Sequence, residues 1–266
     1  MALSFATWNV NSIKMRTEHV QRFLNAQAPD ILAMQEIKCT DDKFPHDAFR
    51  DTHPHHVVKG QPAYNGVAIV SKIPFDIVST SLPRFDHGES EQARYIEIAV
   101  QDDNKPFHLI NVYVPNGNPV EVDGIKYPYK LRWLEALFQR AEDLFNARIP
   151  FVITGDFNII PENSDCFDPQ LWLGDALFRP ETWQAWRKLL YLGLTDAFRA
   201  LHPHEPQAYT FWDYQAGCWP RNNGIRIDHA LLSPSLADRL IDCRIDRTPR
   251  GEEKPSDHTP LIVTLS

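Results

Sequence analysis

The chain has 266 residues, 43% of them hydrophobic, enough for one large domain with a sizeable core, and no Gly/Ser-rich or Pro-rich linker divides it. A formal net charge of −8 argues against a protein that holds nucleic acid by bulk positive charge, unless carboxylates hold a cation that supplies that charge locally. Cys39, Cys166, Cys218 and Cys243 form no C-x-x-C pair, and neither a signal-like start nor an apolar run of membrane-spanning length occurs, so the expectation is a single cytoplasmic domain over residues 1–266, away from membranes.

Residues 2–10 alternate as a strand and deliver Trp8-Asn9-Val10-Asn11 at its end. Residues 16–28 carry Val20, Phe23 and Leu24 at helical spacing, closed by Pro29. Residues 31–34 (ILAM) read as a buried strand that delivers Gln35 and Glu36. A Glu leaving a buried apolar run is costly unless a cation or donors compensate it, which suits a divalent-metal ligand. After the Tyr64-Asn65-Gly66 turn, residues 67–70 form another buried strand, with 75–80 as its neighbour. Residues 94–100 alternate and meet Asp102-Asp103-Asn104, a hairpin-like turn into the strand 107–114, which ends beside Tyr113 and a Pro-Asn-Gly loop.

Residues 130–146 read as the clearest helix, with Leu131, Leu134, Phe138, Ala141 and Phe145 as one stripe and Leu137 and Leu144 widening it. It leads into the stretch 151–158 (FVITGDFN), a buried strand whose end presents Asp156 and Asn158 on one side. Residues 161–170 are loop-like, and Pro180 opens a helix through Trp183, Trp186, Leu189 and Leu190 that Gly193 closes. Residues 209–212 (YTFW) begin an aromatic strand, residues 219–224 form a loop with two amides, and Asp228 starts a buried strand through Leu232. Asp257 and His258 precede the last strand, 261–265. Many consecutive strands interleaved with helices imply two packed sheets flanked by helices.

Acids, amides and one imidazole thus recur at strand exits, an arrangement that independent coincidences explain poorly. The ordered set W-N-V-N, Q-E, N-x-Y-x-P-N-G, G-D-F-N, R-I-D-H and P-S-D-H-x-P, spanning Trp8 to Pro260, resembles the exonuclease III-type AP endonucleases of the endonuclease/exonuclease/phosphatase superfamily. The resemblance implies an α/β fold, a four-layered sandwich of two packed mixed sheets flanked by helices. It also implies hydrolysis of DNA phosphodiesters with Mg²⁺ or Mn²⁺, incising 5′ to abasic sites and trimming 3′ ends. The partner so implied is double-stranded DNA with abasic sites or 3′ ends; no obligate protein partner is evident. Phe211, Ile225 and Ile227 inherit a pocket for an extruded abasic sugar. Ile225 stands where animal relatives often carry tryptophan, and residues 162–179 match no diagnostic version, so substrate preference departs from the family more than chemistry does.

On this reading Glu36 is the metal ligand, with Asn9 in its shell and Asp257 as an additional ligand. An unperturbed Asp titrates near ~3.9 and a His near ~6.5, so pKa alone nominates His258 as the base. If Asp228 accepts a hydrogen bond from His258, however, the imidazolium is favoured and serves better as a phosphate clamp. Asp156 is therefore assigned to activate water and Asn158 to orient it, with His258 and Tyr113 stabilising the transition state. Asn222 or Asn223 donates to phosphate. Arg94, Lys126, Lys130, Arg221, Arg226 and Lys254 read as solvated surface, with Arg226 and Lys254 raised by adjacency to the site. His53, His55, His56, His202 and His204 are expected to have adventitious metal affinity at most. The competing readings are a 3′-specialised exonuclease or 3′-phosphatase without strong abasic incision, a phosphatase of lipids or small phosphoesters, and a DNA-binding module with a dead site.

Overall fold

The computed structural model describes residues 2–86, 91–102, 105–120 and 124–266. Twelve strands are laid down as β1 (Leu3–Asn9), β2 (Ile31–Gln35), β3 (His55–Lys59), β4 (Val67–Ser71), β5 (Phe75–Ser79), β6 (Tyr95–Val100), β7 (Phe107–Tyr113), β8 (Phe151–Asp156), β9 (Thr195–Asp196), β10 (Asp228–Leu232), β11 (Leu240–Ile245) and β12 (Leu261–Leu265). They form two six-stranded mixed sheets, ordered β11-β12-β1-β2-β4-β3 and β5-β6-β7-β8-β10-β9. The helices are α1 (Ile13–Gln27), α2 (Lys126–Asn146), α3 (Pro180–Tyr191) and the short α4 (Ala197–Leu201), α5 (Cys218–Arg221) and α6 (Pro234–Ala237).

Strand periodicity decides the layering. Phe5, Ile31, Ala33 and Ile69 of the first sheet meet Ile96, Ile98, Leu109 and Val152 of the second in one buried cluster. Their alternates face outward: Ala6, Trp8, Leu32 and Met34 pack on Val20, Phe23 and Leu24 of α1, and Ile110, Val112 and Ile153 pack on Leu134, Leu137 and Ala141 of α2 and on Trp186 and Leu189 of α3. The result is the expected four-layered α/β sandwich. Beneath one rim, Gln35 Nε2 donates to Asn111 Oδ1 at 2.7 Å while Asn111 Nδ2 donates to the Met34 and Ala68 carbonyls, so amides bridge the two sheets where strands would otherwise bury unpaired groups.

The structure departs from the sequence reading in several places. Residues 209–212 build no strand, only an isolated bridge of Phe211 with Ile225 and His258, because the Thr210 hydroxyl instead accepts from the Ile227 and Asp228 N–H groups. The edge strands β3 and β11 escape sequence reading because each buries a single residue, so neither shows a buried apolar run. The antiparallel β6–β7 pair bears out the hairpin, but residues 103–104 of its turn lie outside the described residues. His53 Nε2 and His202 Nε2 donate to the backbone carbonyls of Pro29 and Cys243, and His56 stacks on His46.

On the α2 side of β6, Glu97 is wholly buried and accepts from Arg140 at 2.6 and 3.0 Å, from Tyr95 Oη at 2.7 Å, and pairs with His108 at 2.6 Å. Burial alone would push this carboxyl up, but those hydrogen bonds and the Arg140 charge outweigh it and hold it down at about 2. A pKa depressed on folding stabilises the native state above the ordinary carboxylate range, and that contribution, roughly 3 kcal/mol, is lost as pH falls from about 4.5 toward 2. Urea midpoints should therefore drop across this window in wild type and change much less in Glu97→Gln, which starts lower. Parallel curves for the two proteins would refute the assignment.

Candidate active site

The strand exits converge on one cleft at the rim of the two sheets. Register makes this unavoidable: Asp156 stands opposite Tyr113 on one side and opposite Asp228 on the other, while Asn9 pairs with Gln35, the residue before Glu36. Gly155 is what lets β8 come this close to β7. It sits at φ +143°, and a Cβ there would fall 2.0 Å from the Val112 carbonyl oxygen.

Asn9 joins the two sheets. Its Nδ2 donates to Glu36 Oε1 at 2.8 Å and to Asp156 Oδ2 at 3.0 Å. Lys38 Nζ lies 2.8 Å from Glu36 Oε2. Burial by itself pushes the Glu36 carboxyl up, but the Lys38 charge and the Asn9 and Lys38 hydrogen bonds outweigh it and keep the group ionised below its ordinary range. Glu36, Asp156 and His258 each offer one ligand atom, and these atoms lie within 4.8 Å of one another. The two carboxylates form an acidic, partly buried cluster suited to a divalent cation, with the imidazole beside them. Asp257, expected as a further ligand, is not one of the three whose ligand atoms lie within 4.8 Å of one another; its Oδ1 accepts from Asn11 Nδ2 at 3.1 Å.

His258 is held from every side. Its Nδ1 lies 2.8 Å from Asp228 Oδ2, its Nε2 lies 3.8 Å from Asp156 Oδ2, and the Phe211 ring meets it edge-on at 4.9 Å. Trp8 Nε1 donates to its carbonyl, and the Ser256 hydroxyl, which accepts from the His258 N–H, donates to the Asn9 carbonyl. Burial would lower the imidazole's pKa, yet the Asp228 and Asp156 charges raise it to about 10. The ring is therefore a cation at neutral pH. Asp156 moves the other way from a carboxylate's usual range: burial first, and then the Asp228 charge, raise it to about 7 against the pull of His258. Asp228 Oδ1 is buried with no hydrogen-bond partner.

Asn158 adopts a left-handed φ of 49°, which Asn tolerates better than most residues. Its N–H donates to Asp156 Oδ1 at 2.9 Å, its Nδ2 to the Val114 carbonyl at 3.0 Å, and its Oδ1 accepts from Asn116 Nδ2 at 3.0 Å. Tyr113 lies under the Arg94 guanidinium, 4.5 Å from the ring centroid. Burial, followed by the Glu36 charge, pushes the Tyr113 hydroxyl well above its ordinary pKa, so it remains a proton donor.

On the substrate side the correspondence is looser. Ile225 and Ile227 are 1% and 2% exposed and pack with Tyr127, Ile160, Leu177 and Phe178, whereas Phe211 stays half-buried. Arg226 is a correction to the sequence reading: wholly buried, it pairs with Asp165 at 2.8 Å and Asp196 at 2.9 Å, so its guanidinium is spent within the fold rather than offered to phosphate. Asn222 is likewise engaged away from the acids, accepting from Trp212 Nε1 and Arg247 and donating to Gln207. Asn223, half-buried, donates its backbone N–H to the Cys218 carbonyl. Sequence reading assigned no role to Asn116, Asn11 or Lys38, although each stands within two residues of a motif position it did use. It also placed Lys130 on the surface, whereas the side chain is 0% exposed.

Residues 6–258 match the Endonuclease/Exonuclease/phosphatase family. The chain is 32% identical to exodeoxyribonuclease III of Haemophilus influenzae, the alignment covering 97% of this chain and 98% of that one. In structure it is similar to an AP endonuclease from Archaeoglobus fulgidus (38% identity, TM-score 0.91, 99% of each chain) and to the 3′ phosphatase NExo from Neisseria bound to product DNA hairpin (39% identity, TM-score 0.91, 99% of each chain). Among the described residues, no helix is long and apolar enough to cross a membrane.

Proposed function

The chain belongs to the endonuclease/exonuclease/phosphatase family, and within it to the exonuclease III-type AP endonucleases, and from that premise we propose that its cleft hydrolyses DNA phosphodiesters, incising 5′ to abasic sites and trimming 3′ ends. The observation that carries this reading is the joint placement of Glu36, Asp156 and His258, with Asp228 behind the imidazole. The group supplied from outside would be Mg²⁺ or Mn²⁺; Glu36 would hold it, with Asn9 in its shell and Asp257 as a further ligand, and it would offset charge at the phosphate and at the leaving oxygen.

The chain's own residues divide the remaining work. Water attacks phosphorus in line, its proton passes to Asp156, a carboxyl that burial and the Asp228 charge make a better proton acceptor than an ordinary one, and the bond from phosphorus to the 3′ oxygen breaks. The pKa of about 10 favours His258 as a cationic donor to a phosphate oxygen over a base, with Asp228 keeping the proton on the ring. Tyr113 donates a second hydrogen bond to the phosphate, and Asn158 orients the water. Phe211 meets the imidazole edge-on and is the pocket residue left half-buried. The acidic chain is reconciled with an acidic substrate because the charge facing it comes from His258 and the bound cation. Four unpaired cysteines support work in a reducing compartment such as the cytoplasm.

One observation favours a second reading, a 3′-end specialist: with Ile225 and Ile227 almost fully covered, an extruded sugar meets mainly Phe211. End-labelled duplexes carrying an internal abasic analogue or a recessed undamaged 3′ end, each with Mg²⁺ and with EDTA, separate the two. Incision of the abasic duplex, abolished by EDTA, is the expected result. Trimming of the plain end alone would establish the specialist, and inertness toward both duplexes would overturn hydrolysis of DNA altogether.

A further inference from the structure

Helix α2 crosses behind the cleft and carries a lysine on its buried face. Lys130 shares that face with Leu134, Leu137, Ala141 and Leu144, yet no carboxylate touches its ammonium among the described residues. Instead Nζ donates to three backbone carbonyls from three separate segments: Asn158 at 2.5 Å, just beyond β8; Asn116 at 3.1 Å, just beyond β7; and Ala176 at 3.2 Å, in the loop before α3. An ammonium has three hydrogens and no acceptor, so this is a complete use of it. The three segments are also joined by Asn116 Nδ2 to Asn158 Oδ1, by Asn118 Nδ2 to Asp175, by the Ala176 N–H to Asn118 Oδ1 and by the Ile160 N–H to the Leu177 carbonyl. Gly117 accommodates the tie, since a Cβ there would lie 2.9 Å from Lys130 Cδ.

We propose that Lys130 is a positioning residue for hydrolysis: its ammonium knots the loops after β7 and β8 together and so fixes the Asn116–Asn158 amide pair beside Asp156. This rests on the reading of Asn158 given above. Without the ammonium, three buried carbonyls lose a donor at once, and the loops must move to find others. Asn158 is then held only by its N–H to Asp156 and by its side chain's bonds to Val114 and Asn116, while its own carbonyl is left without a donor. A shift of about 1 Å in a group that orients the attacking water is enough to cost roughly 10²-fold in turnover. DNA binding, which draws on the wider cleft, is not affected by such a shift.

The test is a kinetic cycle with Lys130→Met, which keeps length and apolar stem but no donor, and Asn158→Ala, assayed well below each protein's melting temperature. Expected are a loss of about 10²-fold in kcat for Lys130→Met with KM for DNA unchanged, and no further loss when it is added to Asn158→Ala. A folded Lys130→Met with wild-type kcat overturns the proposal. So does a full multiplicative loss in the double variant, because Lys130 would then act by a route other than Asn158. Wild-type kcat in Asn158→Ala would instead overturn the site reading beneath the proposal, and the proposal with it. If Lys130→Met does not fold, Lys130→Gln, which keeps two of the three donors, carries the cycle: a smaller loss of about 10-fold that is absent on an Asn158→Ala background is expected, and either wild-type kcat or a full multiplicative loss overturns the proposal.

Discussion

Replacing Asp156 by Asn is expected to lower turnover by at least about 10³-fold while leaving DNA affinity nearly unchanged. The carboxylate is placed to accept a proton: Oδ1 takes the Asn158 N–H and Oδ2 takes Asn9 Nδ2, so both oxygens are fixed by donors that an amide oxygen can also satisfy on one side only. Asn keeps the volume and half of those hydrogen bonds. What it loses is the negative charge that draws His258 Nε2 to 3.8 Å and the lone pair that would take the water's proton. Binding is read by a labelled abasic duplex in EDTA, and turnover by single-turnover incision with Mg²⁺. Retention of more than a tenth of wild-type turnover would remove Asp156 from the base role.

The second large effect concerns a pair. His258→Asn and Asp228→Asn are each expected to cost about 10²- to 10³-fold in kcat, and the double variant to be hardly worse than the poorer single one, since residues acting as a unit are strongly non-additive. The 2.8 Å contact from Nδ1 to Asp228 Oδ2 lies in a wholly buried setting, and the Asp228 charge is the largest influence raising the imidazole's pKa. Once that carboxylate is gone, burial favours the neutral ring, which no longer brings a charge to the phosphate. Removing the ring afterward then takes away little that was still working. Multiplication of the two single losses would show that the residues contribute separately, and the clamp built from them would be wrong.

Much of this architecture was legible before any coordinates. Short β-branched runs such as 151–154 and 67–70 have one good use, as buried strands, and polar residues at the end of such runs have few neighbours except one another. That is why Asn9, Glu36, Tyr113, Asp156, Asn158, Asp228 and His258 could be picked out together, although the sequence could not say that ligand atoms of Glu36, Asp156 and His258 come within 4.8 Å of one another. Misreadings arose where a polar residue sits on an apolar face. The stripe of α2 that meets the sheet runs through positions 130, 134, 137, 141 and 144, rotated from 131, 134, 138, 141 and 145, and Phe145 is left 36% exposed. Periodicity fits both faces while Lys130 is scored as polar; only its three carbonyl partners, distant in sequence, make it an interior residue. Arg226 fails for the same reason, as its two aspartates lie 61 and 30 positions away. Pairings of that length leave no local trace.

The order of strands in the first sheet has a consequence for how the protein comes to act. β1 is flanked by β2 and by β12, with Leu3 opposite Leu265, so Asn9 near one end of the chain and His258 near the other are brought together only when the final strand docks. During synthesis Glu36 and Asp156 emerge and can reach their places early, but the imidazole that completes the cleft is translated after nearly everything else. Such long-range closure is slow and comes late. A chain folded only as far as β8 therefore carries most of its catalytic groups yet lacks the imidazole, and the cleft is completed when β12 docks against β1.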